Sequence, residues 1–269
     1  MKKKYKNTPK SIFFLLLVDP IKEKKWLSIG YLDVIQSYRR SFFGPLWITL
    51  SIAIQAISVT FIYSELFKVP DQREYYSYVV CGLIAWAWFS SLLTEMGNVF
   101  LSHASYLKNT TINKEQVVWA IGWKNVIIFI HNMFLWIIYW LFGAISVNIN
   151  TLYIFITFPL VFFISLPVIS ALGLLFARYR DFSRLIASLI TLLLIITPIF
   201  WRTEQLTGTR ALLYKLNPIY YLVECIRAPL MGHEITAFTW LALLLIGVFS
   251  WTILAPFYFL KKNKLIFWL

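Results

Sequence analysis

The chain has 269 residues, of which 59% are hydrophobic and only 14% are charged. A soluble domain carries about 25% charged residues, so this composition excludes an ordinary soluble protein. The two cysteines, Cys81 and Cys225, form no C-x-x-C pair, which removes the support for a zinc or redox motif. The formal net charge of +13 would suggest nucleic-acid binding in a soluble protein, so the position of the basic residues becomes the first question.

The N-terminal residues are basic and then apolar: MKKKYKNTPK precedes a short apolar run from Ile12 to Val18. This order is typical of a signal peptide, but no small-residue cleavage site follows it, so we expect no removal. Residues 1–25 are interpreted as a basic tail on the cytoplasmic side, with a short segment resting on the membrane.

Residues 26–44 are predicted to form an amphipathic helix that lies in the membrane interface. Its apolar face is formed by Leu27, Tyr31, Val34, Ile35, Tyr38 and Phe42, and its polar face by Asp33, Gln36, Ser37 and Arg40. Gly44 is expected to end this helix, and Pro45 suits the first turn of the next one. The sequence SYRRSFFGPLW therefore indicates a corner between a helix on the membrane and a helix across it.

Residues 45–269 contain six apolar segments long enough to be predicted as transmembrane helices. They are Leu46–Phe67, Tyr76–Phe100, Val117–Ile145, Leu152–Phe176, Phe182–Trp201 and Phe238–Leu260. Pro159 and Pro167 interrupt the fourth segment, which is tolerable inside a helical bundle. The predicted fold is an all-α integral membrane protein with six spans.

The distribution of lysine and arginine predicts the orientation of these spans. With both termini in the cytoplasm, eighteen of the 25 basic residues fall on the cytoplasmic side. Topology therefore explains the positive charge, and a nucleic-acid partner is not needed.

The segment between the fifth and sixth spans, residues 204–233, is too apolar for an exposed loop and too interrupted for a span. Ile219, Leu222, Val223, Ile226 and Leu230 form an apolar stripe that starts after Asn217-Pro218. It predicts two short re-entrant helices at the outer face. An amphipathic surface loop is the alternative.

No motif for catalysis by this chain alone is present. The sequence lacks the phosphate-binding loop G-x-x-x-x-G-K-[ST], and it lacks H-E-x-x-H and G-x-S-x-G. We expect no metal site and no bound cofactor. Ionisable residues inside spans are usually functional, and here Glu95 and Lys124 are expected to form an ion pair, while His131 is expected to hydrogen-bond between helices.

Aromatic side chains are the abundant chemical resource, because their faces stack on the C–H faces of pyranose rings. Candidates for a sugar-conducting path are Trp86, Trp136 and Trp201, although many tryptophans in such proteins form interface belts.

Five segments together resemble ABC-2 type permeases, most closely the transmembrane subunits of exporters of O-antigen and related polysaccharides. They are YRRSFFGPLW, KNVIIFIHN, ARYRDFSRLIASLI, TPIFW and NPIYYLVECIRAPLMG, in this order, and the resemblance extends from about Tyr31 onwards. It implies a homodimer in the bacterial inner membrane, with two separate ATPase subunits that bind ATP and Mg²⁺. The implied cargo is an undecaprenyl-diphosphate-linked polysaccharide, and the implied gate elements are residues 26–44 and 204–233.

The resemblance also implies roles for particular residues. The segment Ser102–Glu115 corresponds to the helix that couples to the ATPase, with Tyr106, Leu107, Lys108 and Asn109 at its centre; an ordinary loop is the alternative. Arg39 and Arg40 would bind the lipid diphosphate, because guanidinium groups bind phosphate in a fork, and Tyr38 and Phe42 would flank them. Membrane anchoring is the other explanation for the two arginines.

Two other functions remain open at the sequence level. One is an ABC-2 permease for another cargo, such as teichoic acid, capsule, a lipid or a drug. The other is a membrane enzyme acting on polyprenyl-linked sugars, which would need clustered acids or a His-Asp set at one membrane face. The sequence does not identify the sugar.

Overall fold

The structure is a computed structural model that describes residues 16–17, 19–44, 46–109 and 112–269, and every regular element in these ranges is helical. Most of the predicted basic tail, together with Pro45, lies outside the described residues. The α-helices in chain order are α1 Asp19–Glu23, α2 Lys25–Ser37, α3 Leu46–Leu66, α4 Gln72–Met96, α5 Val99–Ser102, α6 Ala104–Lys108, α7 Lys114–Leu141, α8 Ile154–Arg178, α9 Phe182–Ile196, α10 Leu212–Lys215, α11 Pro218–Leu230, α12 Ala237–Phe249, α13 Ala255–Lys261 and α14 Leu265–Trp268.

Five helical segments in the described ranges are long and apolar enough to cross a membrane. They are α3, α4, α7, the continuous segment Ile149–Arg178 that contains α8, and the segment Ala237–Trp268 that contains α12 to α14. The last segment passes through one π-helical stretch at Ser250–Leu254. The chain is therefore an all-α protein with membrane-spanning helices, as the composition predicted.

The predicted fifth span is shorter than expected. Helix α9 ends at Ile196 instead of Trp201 and has 15 residues, about 22 Å at 1.5 Å per residue, less than the roughly 30 Å of a bilayer core. Pro198 explains the early end, because a residue before proline avoids the helical conformation, and Thr197 is extended. Residues 197–201 continue as irregular backbone.

The centre of the bundle is formed by α4 and α8, which are the most buried of the long helices. Helix α3 buries only one narrow stripe, Ile52, Ala56, Thr60 and Ser64, at a spacing of four residues. Most of its remaining surface is exposed in the single chain. Helix α3 and the last helical segment therefore lie at the edge of the bundle.

Helix α2 packs along the first half of α7, and Gly30 makes this approach possible. A Cβ atom on Gly30 would lie 2.5 Å from the backbone oxygen of Ala120, closer than real side chains come. Trp26 packs against Trp119 and Trp123, with ring centres 5.0 and 5.8 Å apart. These contacts fix α2 on the protein at what we call the α2 end of the bundle.

The amphipathic helix was predicted to extend to residue 44, but α2 ends at Ser37, and residues 38–44 form an irregular turn. Arg40 has a φ of 69° and Gly44 a φ of 55°, which are left-handed conformations that stop a helix. Tyr31, Leu32 and Ile35 leave an exposed apolar strip on α2, while Val34 is buried against the protein.

At the opposite end of the bundle, residues 197–236 fold into short helical pieces. The 3₁₀ turn Gly208–Ala211 continues into α10, and α11 follows after Asn217, whose side-chain oxygen accepts a hydrogen bond from the Ile219 N–H. Helix α11 packs against α4 and α12.

Candidate functional site

The main polar feature is a cavity of about 640 Å³ at the α2 end, enclosed by α2, the end of α4, the segment α5–α6 and α7. Its polar lining consists of Ser28, Asp33, Gln36, Ser37, Thr94, Glu95, Asn98, Ser102, His103, Tyr106 and Lys124. Three of the four residues of the predicted polar face, Asp33, Gln36 and Ser37, thus line a cavity, because α2 rests on α7 through Gly30 and turns Asp33 inward.

A second cavity, of about 480 Å³, continues from the first along the groove between α3 and α4. Thr94 and Glu95 line both cavities, which makes them neighbours. The other polar and aromatic lining groups are Tyr38, Ser51, Gln55, Trp86, Ser90 and Ser91. We call the two cavities together the polar groove; from Trp86 to Glu95 it follows α4 for about 14 Å.

In the part of the polar groove between Glu95 and Trp86, most of the polar lining groups are hydroxyls and amides. The hydroxyls of Ser51, Ser90 and Thr94 each donate to a carbonyl three or four residues earlier in their own helix, so their oxygens remain available as acceptors. The Gln55 amide has no hydrogen-bond partner among the residues that the structure describes, although it lies in an apolar helix. An unpaired amide is costly in lipid, which favours contact with a polar cargo or a partner chain.

An ion pair lies where the two cavities meet. The Lys124 ammonium is 2.7 Å from Oε1 of Glu95, which confirms the predicted pair. The Asn125 amide donates to Oε2 of the same carboxylate at 3.2 Å. Both oxygens of the Glu95 carboxylate therefore have a partner, and these contacts join α4 to α7.

Of the predicted path residues, Tyr38 and Trp86 line the polar groove, and Phe42 is 92% exposed on the surface. Arg39 and Arg40 follow α2 on the exposed turn and line neither cavity. Within the described ranges, neither guanidinium has a hydrogen-bond or ion-pair partner. Both arginines are therefore available to a ligand.

Trp136 and Trp201 lie elsewhere and make structural hydrogen bonds. The Trp136 indole donates to the Leu230 carbonyl at 2.7 Å, which holds α7 to α11. The Trp201 indole donates to the Ile195 carbonyl at 3.0 Å, and this side chain lines a separate, mainly apolar cavity at the opposite end. The placement of Trp136 favours a packing role for it.

His131 does not bond between helices through its ring, contrary to expectation, since Nδ1 lies 2.8 Å from the Ile127 carbonyl of its own helix. The contact between helices is made by its backbone carbonyl, which accepts from the Thr49 hydroxyl at 3.0 Å.

The predicted coupling segment forms the short helices α5 and α6, with Thr110 and Thr111 outside the described residues. Tyr106, Lys108 and Asn109 are exposed. Leu107 is only 4% exposed, because it belongs to the hydrophobic core, so the proposal that it anchors a partner is wrong.

The structure also contains the His-Asp pair that the membrane-enzyme alternative required. Nε2 of His103 lies 3.1 Å from Oδ2 of Asp33, and Nδ1 lies 3.0 Å from the Ser102 hydroxyl. This hydroxyl also lies 2.9 Å from the Asn98 carbonyl of its own turn, and Nδ1 lies 3.0 Å from the Val99 carbonyl. Nδ1 therefore carries a proton and cannot take one from Ser102, so the set does not form an activated nucleophile.

Sequence reasoning missed a buried ion pair at the opposite end. Arg227 is 2% exposed, and its guanidinium pairs with Glu224 and donates to the Pro198 carbonyl at 2.5 Å. The sequence does indicate this pair, because an acid and a base at positions i and i+3 interrupt the apolar stripe of α11. In the described residues, no group of three or more His, Cys, Asp or Glu could hold a metal ion.

Comparison with known proteins gives one family. Residues 26–231, well over half of the chain, match the model of the family described as ABC-2 type transporter. No curated protein matches the chain. The match begins at α2 and ends just after α11, so it includes the polar groove and the buried ion pair. The chain therefore belongs to the ABC-2 type transporter family, as a membrane permease component.

Proposed function

We propose that the chain exports an undecaprenyl-diphosphate-linked polysaccharide across the bacterial inner membrane, as a homodimer driven by two ATPase subunits. The observation that supports the cargo is the polar groove, which is lined by hydroxyl and amide groups and by Trp86. Such groups exchange hydrogen bonds with sugar hydroxyls, and an indole face packs against a pyranose ring. In the second cavity, which extends from Glu95 to Trp86, Glu95 is the only charged lining residue. This lining suits a neutral or weakly charged polymer.

Exposed polar residues of α3 and α4 support the proposed homodimer. Ser51, Gln55 and Thr94 line the groove and are also exposed in the single chain. Polar groups at membrane depth are expensive when lipid surrounds them. A second copy facing the same groove would remove them from lipid and close a path between the two chains.

The proposed orientation places the α2 end in the cytoplasm. Lys24 and Lys25 lie at this end, and Lys262 of the C-terminal KKNK pairs there with Glu115 at the start of α7, in agreement with the positive-inside rule. The exposed strip of Tyr31, Leu32 and Ile35 would rest in the membrane interface. Arg39 and Arg40 would then stand at headgroup depth, where a diphosphate enters.

The experiment measures export in cells that depend on this permease. Arg39→Ala/Arg40→Ala is expected to reduce surface polymer and to leave lipid-linked polymer on the cytoplasmic side, at matched amounts of protein. Arg210→Ala/Lys215→Ala is the control, because it also removes two positive charges, from exposed sites at the opposite end. Normal surface polymer in the double variant would contradict the proposed diphosphate site.

A cargo other than an O-antigen-like polymer, such as teichoic acid, capsule, a lipid or a drug, is the second candidate. The same assay separates the candidates, because the accumulating lipid-linked species can be identified by mass spectrometry. Loss of a glycerol- or ribitol-phosphate polymer, or no accumulation of any lipid-linked sugar, would replace the proposed cargo.

A further inference from the structure

His103 is a buried histidine outside the long helices, at the start of α6. Only 5% of the residue is exposed. Its Nε2 faces the Asp33 carboxylate of α2 at 3.1 Å, and its Nδ1 faces the Val99 carbonyl of α5 at 3.0 Å. The ring therefore lies between two acceptors that belong to different segments.

This geometry selects one protonation state. A carboxylate and a carbonyl only accept hydrogen bonds, so a ring nitrogen bonds to either of them only by donating, whereas the Ser102 hydroxyl, 3.0 Å from Nδ1, can donate to Nδ1 when this nitrogen carries no proton. A neutral imidazole has a single N–H and keeps at most one of these two bonds. Only the imidazolium satisfies both acceptors, and it adds a charge attraction to Asp33.

The surrounding charges come from each neighbouring helix. Asp33 of α2 faces the ring, and Lys124 of α7 and Glu95 of α4 line the same cavity. The ring of Tyr106 in α6 has its centre 6.3 Å from the centre of the His103 ring. Burial lowers the pKa of His103, but the hydrogen bond and the charge of Asp33 outweigh it, so the pKa is raised above 6.5. The charge-assisted link is therefore complete below about pH 6.5, and it weakens as the pH rises through the raised pKa.

The pair joins two parts of the chain that have separate roles in the proposed function. Segment α5–α6 carries the exposed residues Tyr106 and Lys108, and α2 leads within two residues of its end to Arg39. Asp33 lies one turn before the end of α2. A displacement of α5–α6 is thus transmitted to the turn with the two arginines when the ion pair is intact.

We propose that the Asp33–His103 pair is a proton-sensitive link that makes α2 follow the movement of segment α5–α6, with His103 as a positioning residue for Arg39 and Arg40. The positioning of the two arginines rests on the proposed function, whereas the link itself does not.

The first test measures the link in the purified chain in lipid nanodiscs. Histidine NMR resolves three residues, His103, His131 and His233, and His103→Gln assigns the signal. We expect His103 to titrate above pH 6.5, and its midpoint to fall in the isosteric variant Asp33→Asn. A His103 that titrates at or below 6.5, or that is unaffected by Asp33→Asn, would overturn the proposal.

The second test measures how firmly α2 is held, by hydrogen exchange of peptides covering residues 25–37. At pH 6.0 we expect α2 to exchange about tenfold faster in Asp33→Asn than in the natural chain, the lower bound for one charge-assisted bond. At a pH high enough to deprotonate the ring, such as pH 8.5, the difference should be much smaller, because a neutral imidazole loses the charge attraction to Asp33 and keeps at most one of its two hydrogen bonds. An equal difference at both pH values, or none at pH 6.0, would refute a proton-sensitive link.

The third test uses the complex with its ATPase subunit. Asp33→Asn should lower the amount of cargo moved per ATP hydrolysed several-fold at pH 6.5, and the effect should be smaller at pH 8.5, where the ring is less protonated. An unchanged ratio at pH 6.5 would overturn the positioning role of His103. If the natural complex moves no lipid-linked polymer at all while the titration and exchange results hold, the proposed function fails and the link stands.

Discussion

The guanidinium of Arg227 lies 4.0 Å from the centre of the Tyr78 ring, inside the bundle. The Tyr78 hydroxyl donates towards the carbonyls of Pro198 and Trp201, at 3.0 and 3.1 Å, and Arg227 donates to the same Pro198 carbonyl. Tyr75 donates to the Phe200 carbonyl at 2.5 Å. These side chains satisfy the carbonyls that become free where α9 unwinds, which lipid could not do.

The buried pair of Glu224 and Arg227 predicts a specific pattern of stability. Removal of the acid, in Glu224→Ala, should destabilise the protein by about 3–5 kcal/mol, because the buried Arg227 guanidinium then has no compensating charge. The double variant Glu224→Leu/Arg227→Met should be closer to the natural stability. Thermal unfolding in detergent, followed by size-exclusion chromatography, measures these differences. Equal losses in the single and double variants would contradict the pairing.

Gly30 predicts that α2 cannot tolerate even one methyl group at its contact with α7. Gly30→Ala should displace α2, because the new Cβ would meet the Ala120 oxygen at 2.5 Å. Gly247→Ala is the matched control, since its Cβ would make an ordinary contact of 3.4 Å with Ile164 and gain about 0.5–1 kcal/mol of helix propensity. Hydrogen exchange of residues 25–37 should rise only in Gly30→Ala, and unchanged exchange there would show that α2 is not held by this contact.

Cysteine labelling tests the orientation and the exposed part of segment α5–α6. Tyr106→Cys and Lys108→Cys should react with an impermeant maleimide only in inside-out vesicles. Leu107→Cys should remain unlabelled, because this position is buried. The native Cys81 and Cys225 are buried as well and give a low background. Labelling of Lys108→Cys from the outside of intact cells would invert the proposed topology.

Lysine substitution separates phosphate binding from membrane anchoring at Arg39 and Arg40. If the pair binds a diphosphate, Arg39→Lys/Arg40→Lys should restore export only in part, because lysine keeps the charge and loses the bidentate fork. A lost hydrogen bond to a charged group costs about 1.5–3 kcal/mol, or roughly ten- to hundredfold in affinity. Full rescue by lysine would indicate a role in anchoring alone.

The chain by itself should show no ATPase activity, because its sequence contains no phosphate-binding loop. Activity should appear on addition of a nucleotide-binding subunit and should depend on the exposed residues Tyr106 and Lys108. Purified chain at matched concentration, in a phosphate-release assay, provides the comparison. Robust hydrolysis without the second subunit, with contamination excluded, would contradict the assignment as a permease.

Much of the site was predictable from local pattern. The polar residues of α2 were predicted from helical spacing, and the Glu95–Lys124 pair from two charges at the same ends of neighbouring spans. The end of α2 at Ser37 could not be predicted, because Arg40 adopts a left-handed conformation that its residue type does not favour. The burial of Leu107 could not be predicted either, since the five-residue helix α6 has too few positions to show which face is covered.

The sequence by itself determined the all-α membrane class, the long helices and the family resemblance, because these depend on composition and on the order of residues along one segment. The tertiary structure alone decided which polar groups meet. Asp33 and His103 are 70 positions apart, and Tyr78 and Arg227 are even farther apart in the sequence, so neither pair leaves a periodic signal. Helix packing brings them together: α2 reaches His103 only because Gly30 lets it rest on α7, and Arg227 reaches Tyr78 only because α11 packs on α4.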